Sequence, residues 1–202
     1  MKLNSFSEIT DCIQYWKSIR NEPEKVLSYL GQGDAFYFIP QGEKITSNFH
    51  VYPGVCPKTE TMYMFLIPAE DDKKSSDEAL FNAIIQSVVI KTVGGTPEIS
   101  ELDAKKRINN WNTHYKQWVP EQTKTPDGLF LAFNLPSSYM KASCKYVTYF
   151  ALRVSSEEIT GYRADLVTVD HEEEKARFFD TVRPVPPFDS EYPESSFYLL
   201  SC

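Results

Sequence analysis

Cysteine and histidine are the residues of this chain best suited to nucleophilic chemistry, and in sequence they come closest at His50 and Cys56. Cys56 lies in the turn-forming run Pro53-Gly54-Val55-Cys56-Pro57. A thiol activated by an imidazole attacks carbonyl carbon, so a Cys56–His50 pair would read as a small hydrolase site. An extended strand leading from His50 into that turn would instead hold the two about 20 Å apart. Cys12, Cys144 and Cys202 are scattered, and no Cys-x-x-Cys occurs. His171 stands beside Asp170 and Glu172 to Glu174, a set that could hold a divalent ion or simply form a solvated turn. His114 sits between Trp111 and Tyr115 and reads as a partly exposed helical residue. No two histidines are four apart and no His-Glu-x-x-His occurs, so no metal or cofactor is expected. Gly31-Gln32-Gly33 follows a helical stretch and has no third glycine, the wrong setting for a dinucleotide cradle. A Walker A motif and Gly-x-Ser-x-Gly are both missing.

The elements that must position these residues come from an ordinary globular composition. The chain has 202 residues, 42% hydrophobic and 24% charged, with a net charge of −7. Residues 1–101 hold 9 basic and 14 acidic residues, and residues 102–202 hold 12 and 14. Neither half carries the positive footprint that phosphate backbones or anionic lipid surfaces require, so neither nucleic acid nor membrane is an expected partner. The longest apolar run, Met62 to Ile67, is far short of the roughly 20 residues that span a bilayer. Asn4, Glu8 and Asp11 interrupt any signal-peptide core, and a cytoplasmic location with free thiols is expected.

Ser5 or Ser7 can cap a helix whose stripe is Ile9, Cys12, Ile13, Trp16 and Ile19. Pro23 opens a second short helix through Val26, Leu27 and Leu30, and Gly31 ends it. Strands are expected at Phe36 to Ile39, Ile45 to Tyr52 (ended by Pro53-Gly54) and Met62 to Ile67. Residues 77–93 mix a helical start at Ala79 to Ile85 with a strand-like Ser87 to Val93. Ser100, supported by Asp103, starts a helix with Leu102, Ile108, Trp111, Tyr115 and Trp118 near one face, stopped at Pro120. Strands follow at Leu129 to Leu135, Lys145 to Val154, Gly161 to Val169 and Arg177 to Val182. Arg183 to Cys202 is Pro-rich and aromatic and reads as irregular.

The order of elements repeats. Ser7-Glu8-Ile9 is echoed by Ser100-Glu101-Leu102, and Ile13 and Trp16 by Ile108 and Trp111. Phe38-Ile39-Pro40 is echoed by Asn134-Leu135-Pro136, and Phe49-His50-Val51 by Phe150-Ala151-Leu152. Tyr63 and Asp71 match Tyr162 and Asp170. The expectation is an α+β fold of helices packed on antiparallel sheet, with units at 1–98 and 99–202 that could arise by duplication or share one compact domain.

The helix opening Ile99-Ser100-Glu101-Leu102-Asp103-Ala104, the strand Tyr149-Phe150-Ala151-Leu152-Arg153, the strand Leu166-Val167-Thr168-Val169-Asp170 and the closing Arg183-Pro184-Val185-Pro186-Pro187-Phe188 carry a resemblance. Over residues 99–200 the chain resembles a group of uncharacterised small proteins seen mostly in Bacteroidetes. The resemblance implies a bacterial protein and brings no activity. Members of that group carry cysteines around the closing Pro-Pro, and here there are none.

The aromatic content of 14% is the unusual bulk feature. Most such side chains belong in the core. Trp16, Trp111, Trp118, Tyr192, Phe197 and Tyr198 are the candidates to line a groove or meet a partner. An apolar C-terminal tail docks on its own domain or on another protein, and its own domain is the plainer reading. The leading expectation is a non-catalytic binding or assembly protein, through a partner or self-association. The alternatives are a small hydrolase built on Cys56 and His50, or a small-ligand binder with its pocket between the two units.

Overall fold

The computed structural model describes residues 2–41, 45–92, 102–170, 177–179 and 182–202, with the backbone alone for 177–179. The expected start of the long helix at Ser100 and the His171 cluster lie outside the described residues.

The fold is α+β. Helix α1 spans Phe6–Ile19, and the Ser5 hydroxyl caps it by accepting from the Glu8 amide at 3.2 Å. Its buried face is Ile9, Cys12, Ile13, Trp16 and Ile19. Helix α2, Pro23–Leu30, uses Pro23 in its first turn, where the missing N–H has no partner to lose. Strands β1 (Ala35–Phe38), β2 (Phe49–Val55) and β3 (Met62–Pro68) precede a short helix α3 (Asp77–Ala83) and β4 (Ile85–Val88). Helix α4 (Leu102–Gln122) is followed by β5 (Ala132–Leu135), β6 (Tyr146–Val154), β7 (Tyr162–Asp170), β8 (Arg177–Phe179) and β9 (Arg183–Val185). Two single 3-10 turns, Glu194–Ser196 and Tyr198–Leu200, close the chain. Among the described residues no helix is long and apolar enough to cross a membrane.

Three sequence expectations are corrected. Strand β2 does not stop at Tyr52 but continues through Pro53-Gly54 to Val55. It pairs with β5 only over Phe49 to Val51, so Pro53 lies past the end of β5, on an edge where its missing donor breaks no ladder on that side. Helix α4 runs through Pro120 for a further two residues. Burial of Trp118, Val119 and Gln122 in that last turn outweighs the lost hydrogen bond. The closing segment is not wholly irregular, because Arg183 to Val185 pairs with β5.

The strands form two antiparallel sheets, ordered β1-β6-β7-β8 and β4-β3-β2-β5-β9. Each sheet draws strands from both sides of residue 98. With β1 to β4 matched to β5 to β8, the first order becomes β5-β2-β3-β4, which is the second sheet without β9. The registers agree. Phe38 pairs with Tyr146 and Leu135 with Phe49, and residues 38 and 135, like 49 and 146, are 97 apart. The corners agree as well. After β4, the Ile90 carbonyl accepts from the Asp34 amide (3.0 Å) and Ile90 bridges Ala35. After β8, the Val185 carbonyl accepts from the Leu131 amide (2.7 Å) and Val185 pairs with Ala132. Asp34 and Leu131, and Ala35 and Ala132, are again 97 apart.

The strand period of two divides the core. Phe49, Val51 and Val55 of β2, Met62, Met64 and Leu66 of β3, and Tyr146, Phe150 and Leu152 of β6 share the largest cluster with Trp16 and Trp111. The opposite face of β2 and β3 packs Tyr52, Cys56, Tyr63, Phe65 and Ile67 against α1 and the C-terminal tail. The opposite face of β6 packs Val147, Tyr149 and Ala151 against Ala104 and Ile108 of α4. Helix α1 therefore lies on β2 as α4 lies on β6.

Candidate functional site

The even-numbered residues of β2 look toward α1, and they carry both candidate reactive groups to opposite ends of one strand. His50 is at the start and Cys56 follows the end, six residues on, so the extended chain separates them by about 20 Å. The expected Cys56–His50 pair is not assembled.

His50 instead meets Asp72 and Tyr52. Its Nδ1 lies 2.6 Å from Asp72 Oδ2, and the Tyr52 hydroxyl donates to the same oxygen. The Leu199 amide donates to Asp72 Oδ1 at 3.3 Å, and the Phe197 ring stacks on His50 with centroids 4.2 Å apart. Burial, then Asp72, pushes the Tyr52 phenol well above its ordinary range. The tail thus covers this polar group completely, and α1 holds the tail: Gln14 and Lys17 both donate to the Leu200 carbonyl, at 3.3 and 3.2 Å.

The other end of β2 is built differently. Gly54 lies where α1 crosses the strand, and a Cβ placed on it would come within 3.1 Å of Cys12 Cβ and 2.6 Å of the Phe65 ring. The absence of a side chain brings helix and strand together here. Cys56, two residues further along the same face, therefore joins Cys12 in one buried cluster and one groove wall. Tyr63, opposite Gly54 on β3, completes the cluster. The turn after Cys56 is closed by its own backbone. The Glu60 amide donates to the Cys56 carbonyl (2.8 Å), the Cys56 amide donates to the Thr61 carbonyl (3.0 Å), and Glu60 has φ of 54°.

That turn sets the electrostatics. Burial pushes the Cys56 thiol up, but hydrogen bonds from the Thr59 hydroxyl, the Thr59 and Lys58 amides and the Cys12 thiol outweigh it and bring it below the ordinary thiol value. Burial, then the charge of Cys56, pushes the Cys12 thiol up to about 12. One sulfur is thus the better thiolate and its neighbour is the proton holder. Outside them lies a groove of about 450 Å³, walled by Glu8, Asp11, Gln14, Tyr15 and Ser18 of α1 and by Pro57 and Lys58 of the turn. Both cysteines line the groove, but Cys56 is 6% exposed and Cys12 1%, so Cys56 is the more accessible sulfur.

The expected groove aromatics lie elsewhere. Trp16, Trp111, Trp118 and Phe197 are buried, with the Trp16 indole donating to the Phe130 carbonyl (3.0 Å) and the Trp118 indole to the Tyr162 carbonyl (3.1 Å). Large buried rings are chiefly core material, with Trp111, Trp118 and Phe197 each also contributing to the wall of a surface cleft. Tyr192 and Tyr198 are half-buried on the docked tail. The sequence reading missed Cys12, Lys58 and Thr59. The available signal was Gly54 and Cys56 at i, i+2 on one strand, facing a cysteine on the apolar stripe of the preceding helix. Comparison with protein-family models, curated proteins and solved structures finds no match for this chain.

Proposed function

We propose that the protein binds a small electrophilic ligand in the groove beside α1, with Cys56 as the nucleophile that captures it. The observation that carries this reading is a cysteine in the wall of an open groove, whose thiol the Thr59 hydroxyl and the Thr59 and Lys58 amides hold below its ordinary pKa against burial. Donors aimed at a sulfur stabilise the thiolate, which is the reactive form. This is the small-ligand reading of the sequence moved from the seam between the halves to the end of β2. It keeps the Cys56 nucleophile and drops His50 as its base.

The test is alkylation by iodoacetamide across a pH series, read by intact mass and peptide mapping in a Cys144→Ser, Cys202→Ser background. Cys56 is expected to react with a pKa below that of a free thiol, and Thr59→Val to raise it. A Cys56 that stays unmodified at neutral pH in the folded protein overturns the proposal.

A second reading is partner binding or self-association without catalysis. It is supported by Tyr37 and Ile39, 37% and 48% exposed, on and just after the β1 strand. A strictly monomeric sedimentation profile at high concentration would count against self-association. We also infer that the chain arose by duplication of a helix-plus-sheet unit, with residues 1–98 and 99–202 as its two copies. The matched strand orders and the 97-residue spacing of the registers support this. A cytoplasmic location fits two neighbouring thiols that stay reduced.

A further inference from the structure

Two cysteines lining one groove can do more than hold a ligand. We propose that Cys56 and Cys12 are the attacking and resolving thiols of a dithiol–disulfide couple whose substrate class is a small disulfide entering the groove beside α1. This rests on reading Cys56 as the reactive thiol.

The reaction balances without any further reagent. The Cys56 thiolate attacks one sulfur of R–S–S–R, forming Cys56–S–S–R and expelling one R–S⁻. Cys12 gives its proton to that thiolate through solvent, and its sulfur then attacks Cys56 Sγ. The Cys12–Cys56 bond forms and the second R–S⁻ leaves, taking up the proton that Cys56 had already released. Two protein thiols are oxidised and one substrate disulfide is reduced to two R–SH.

The geometry assigns the order of events. Both cysteines line the groove, but Cys56 is the more exposed and the better thiolate, so attack starts there. Cys12 is 1% exposed, so it is the less accessible of the two. Its thiol is held protonated by burial and by the charge and hydrogen bond of Cys56. Once Cys56 is in a mixed disulfide that charge is gone, which removes one of the causes that hold Cys12 protonated while burial, the largest, remains. Gly54 supplies the approach, because any side chain there would collide with Cys12 and Phe65. Closing a disulfide needs Cβ atoms within about 4.5 Å, and α1 is already seated on β2 at that point.

The fold does not require sulfur here. The positions matched to Cys12, Cys56 and Tyr63 by helix alignment and sheet register are Arg107, Arg153 and Asp165. Arg107 pairs with the buried Asp165 at 3.0 Å, and Arg153, half-buried like Arg107, adds a second positive charge nearby. Two neighbouring thiols are thus a property of this end of the molecule rather than of the architecture.

The experiment treats the fully reduced Cys144→Ser, Cys202→Ser protein with 2-hydroxyethyl disulfide, quenches with acid and reads intact mass. The expected product lacks two hydrogens and carries no adduct, with Cys12 and Cys56 joined in the peptide map. Cys12→Ser is expected to stop at a mixed disulfide on Cys56, and Cys56→Ser to leave Cys12 unreacted. A stable adduct on Cys56 without loss of Cys12 overturns the resolving role while leaving Cys56 as the reactive thiol. An unreactive Cys56 overturns both readings. If Cys12→Ser proves unfolded by circular dichroism, the parent protein decides alone, since adduct and internal disulfide differ in mass.

Discussion

Under α1 and under α4 the molecule has solved the same packing problem twice with opposite chemistry. Beneath α1, Gly54 lets the helix close onto the strand, and Cys12, Cys56 and Tyr63 fill the junction. Beneath α4, Ala151 takes the place of Gly54, and Arg107, Arg153 and Asp165 fill it. Asp165 is almost fully buried; Arg107 Nη1 lies 3.0 Å from its Oδ2, and the Leu166 amide donates to its Oδ1 at 2.9 Å. Burial pushes its carboxyl up to about 6 against the opposing pull of Arg107, then Arg153. An ion cluster of this kind is rigid when complete and expensive to break, whereas two thiols are nearly neutral to packing and free to change covalent state. The difference suggests which end is structural and which is reactive.

The sharpest contrast lies in what removal does. Trp16→Ala and Trp111→Ala each delete a fully buried ring from the core shared by the two sheets. Each is expected to lose about 3–5 kcal/mol in urea unfolding. Unequal losses would show that the two helices do not hold equivalent places.

Arg107→Ala leaves the Asp165 carboxylate without its nearest cation and should cost about 3 kcal/mol near pH 7. Cys12→Ala, the matched change under α1, should cost about 1 kcal/mol, chiefly lost packing. Equal effects would erase the proposed division between the ends.

Asp165 also gives a pH signature. Its folded pKa of about 6 exceeds the ordinary 3.8, so the folded chain takes up a proton that the unfolded chain does not. Its contribution to stability therefore grows as pH falls from about 6 toward 4, and its full cost stands above pH 6. Wild type minus Asp165→Asn, measured by chemical unfolding at several pH values, should show that slope. A flat difference would mean that the carboxyl is ionised in both states.

A last pair of substitutions probes the crossing point itself. Gly54→Ala should lose about 1–3 kcal/mol by overpacking against Cys12 and Phe65, while Ala151→Gly should lose under about 1 kcal/mol. Reversed magnitudes in thermal unfolding would show that the closer helix approach lies under α4.

Much of the architecture was legible because helix stripes and strand runs are local. Ile9, Ile13 and Trp16 and their counterparts Ala104, Ile108 and Trp111 face inward as their spacing requires. The echo between the halves paired strands that hold matching places in the two sheet orders, but in a different register. It set Phe49 against Phe150, whereas the sheet registers set it against Tyr146. A slip of four keeps a strand's faces, so the pattern could not detect it. The slip of one at Phe38, matched to Asn134 in place of Leu135, reverses the faces, and only the pairing partners expose it. The passage of β2 through Pro53 depends on where a distant strand ends, which no local rule contains. The Cys12–Cys56 pair joins residues 44 positions apart and depends on a glycine between strand and helix.

The exchange of first strands has a consequence during synthesis. Strand β1 leaves the ribosome more than 100 residues ahead of β6, the only strand among the described residues with which it forms a ladder. Strand β2 likewise waits for β5. At about 5–20 residues per second the nascent first half spends several seconds with sheet edges open that the finished protein covers. Over that interval the aromatic run Phe36-Tyr37-Phe38 is a sticky edge in search of any extended chain. A neighbouring nascent copy could supply β6 in place of the chain's own, giving a dimer by strand exchange from the same contacts that complete the monomer.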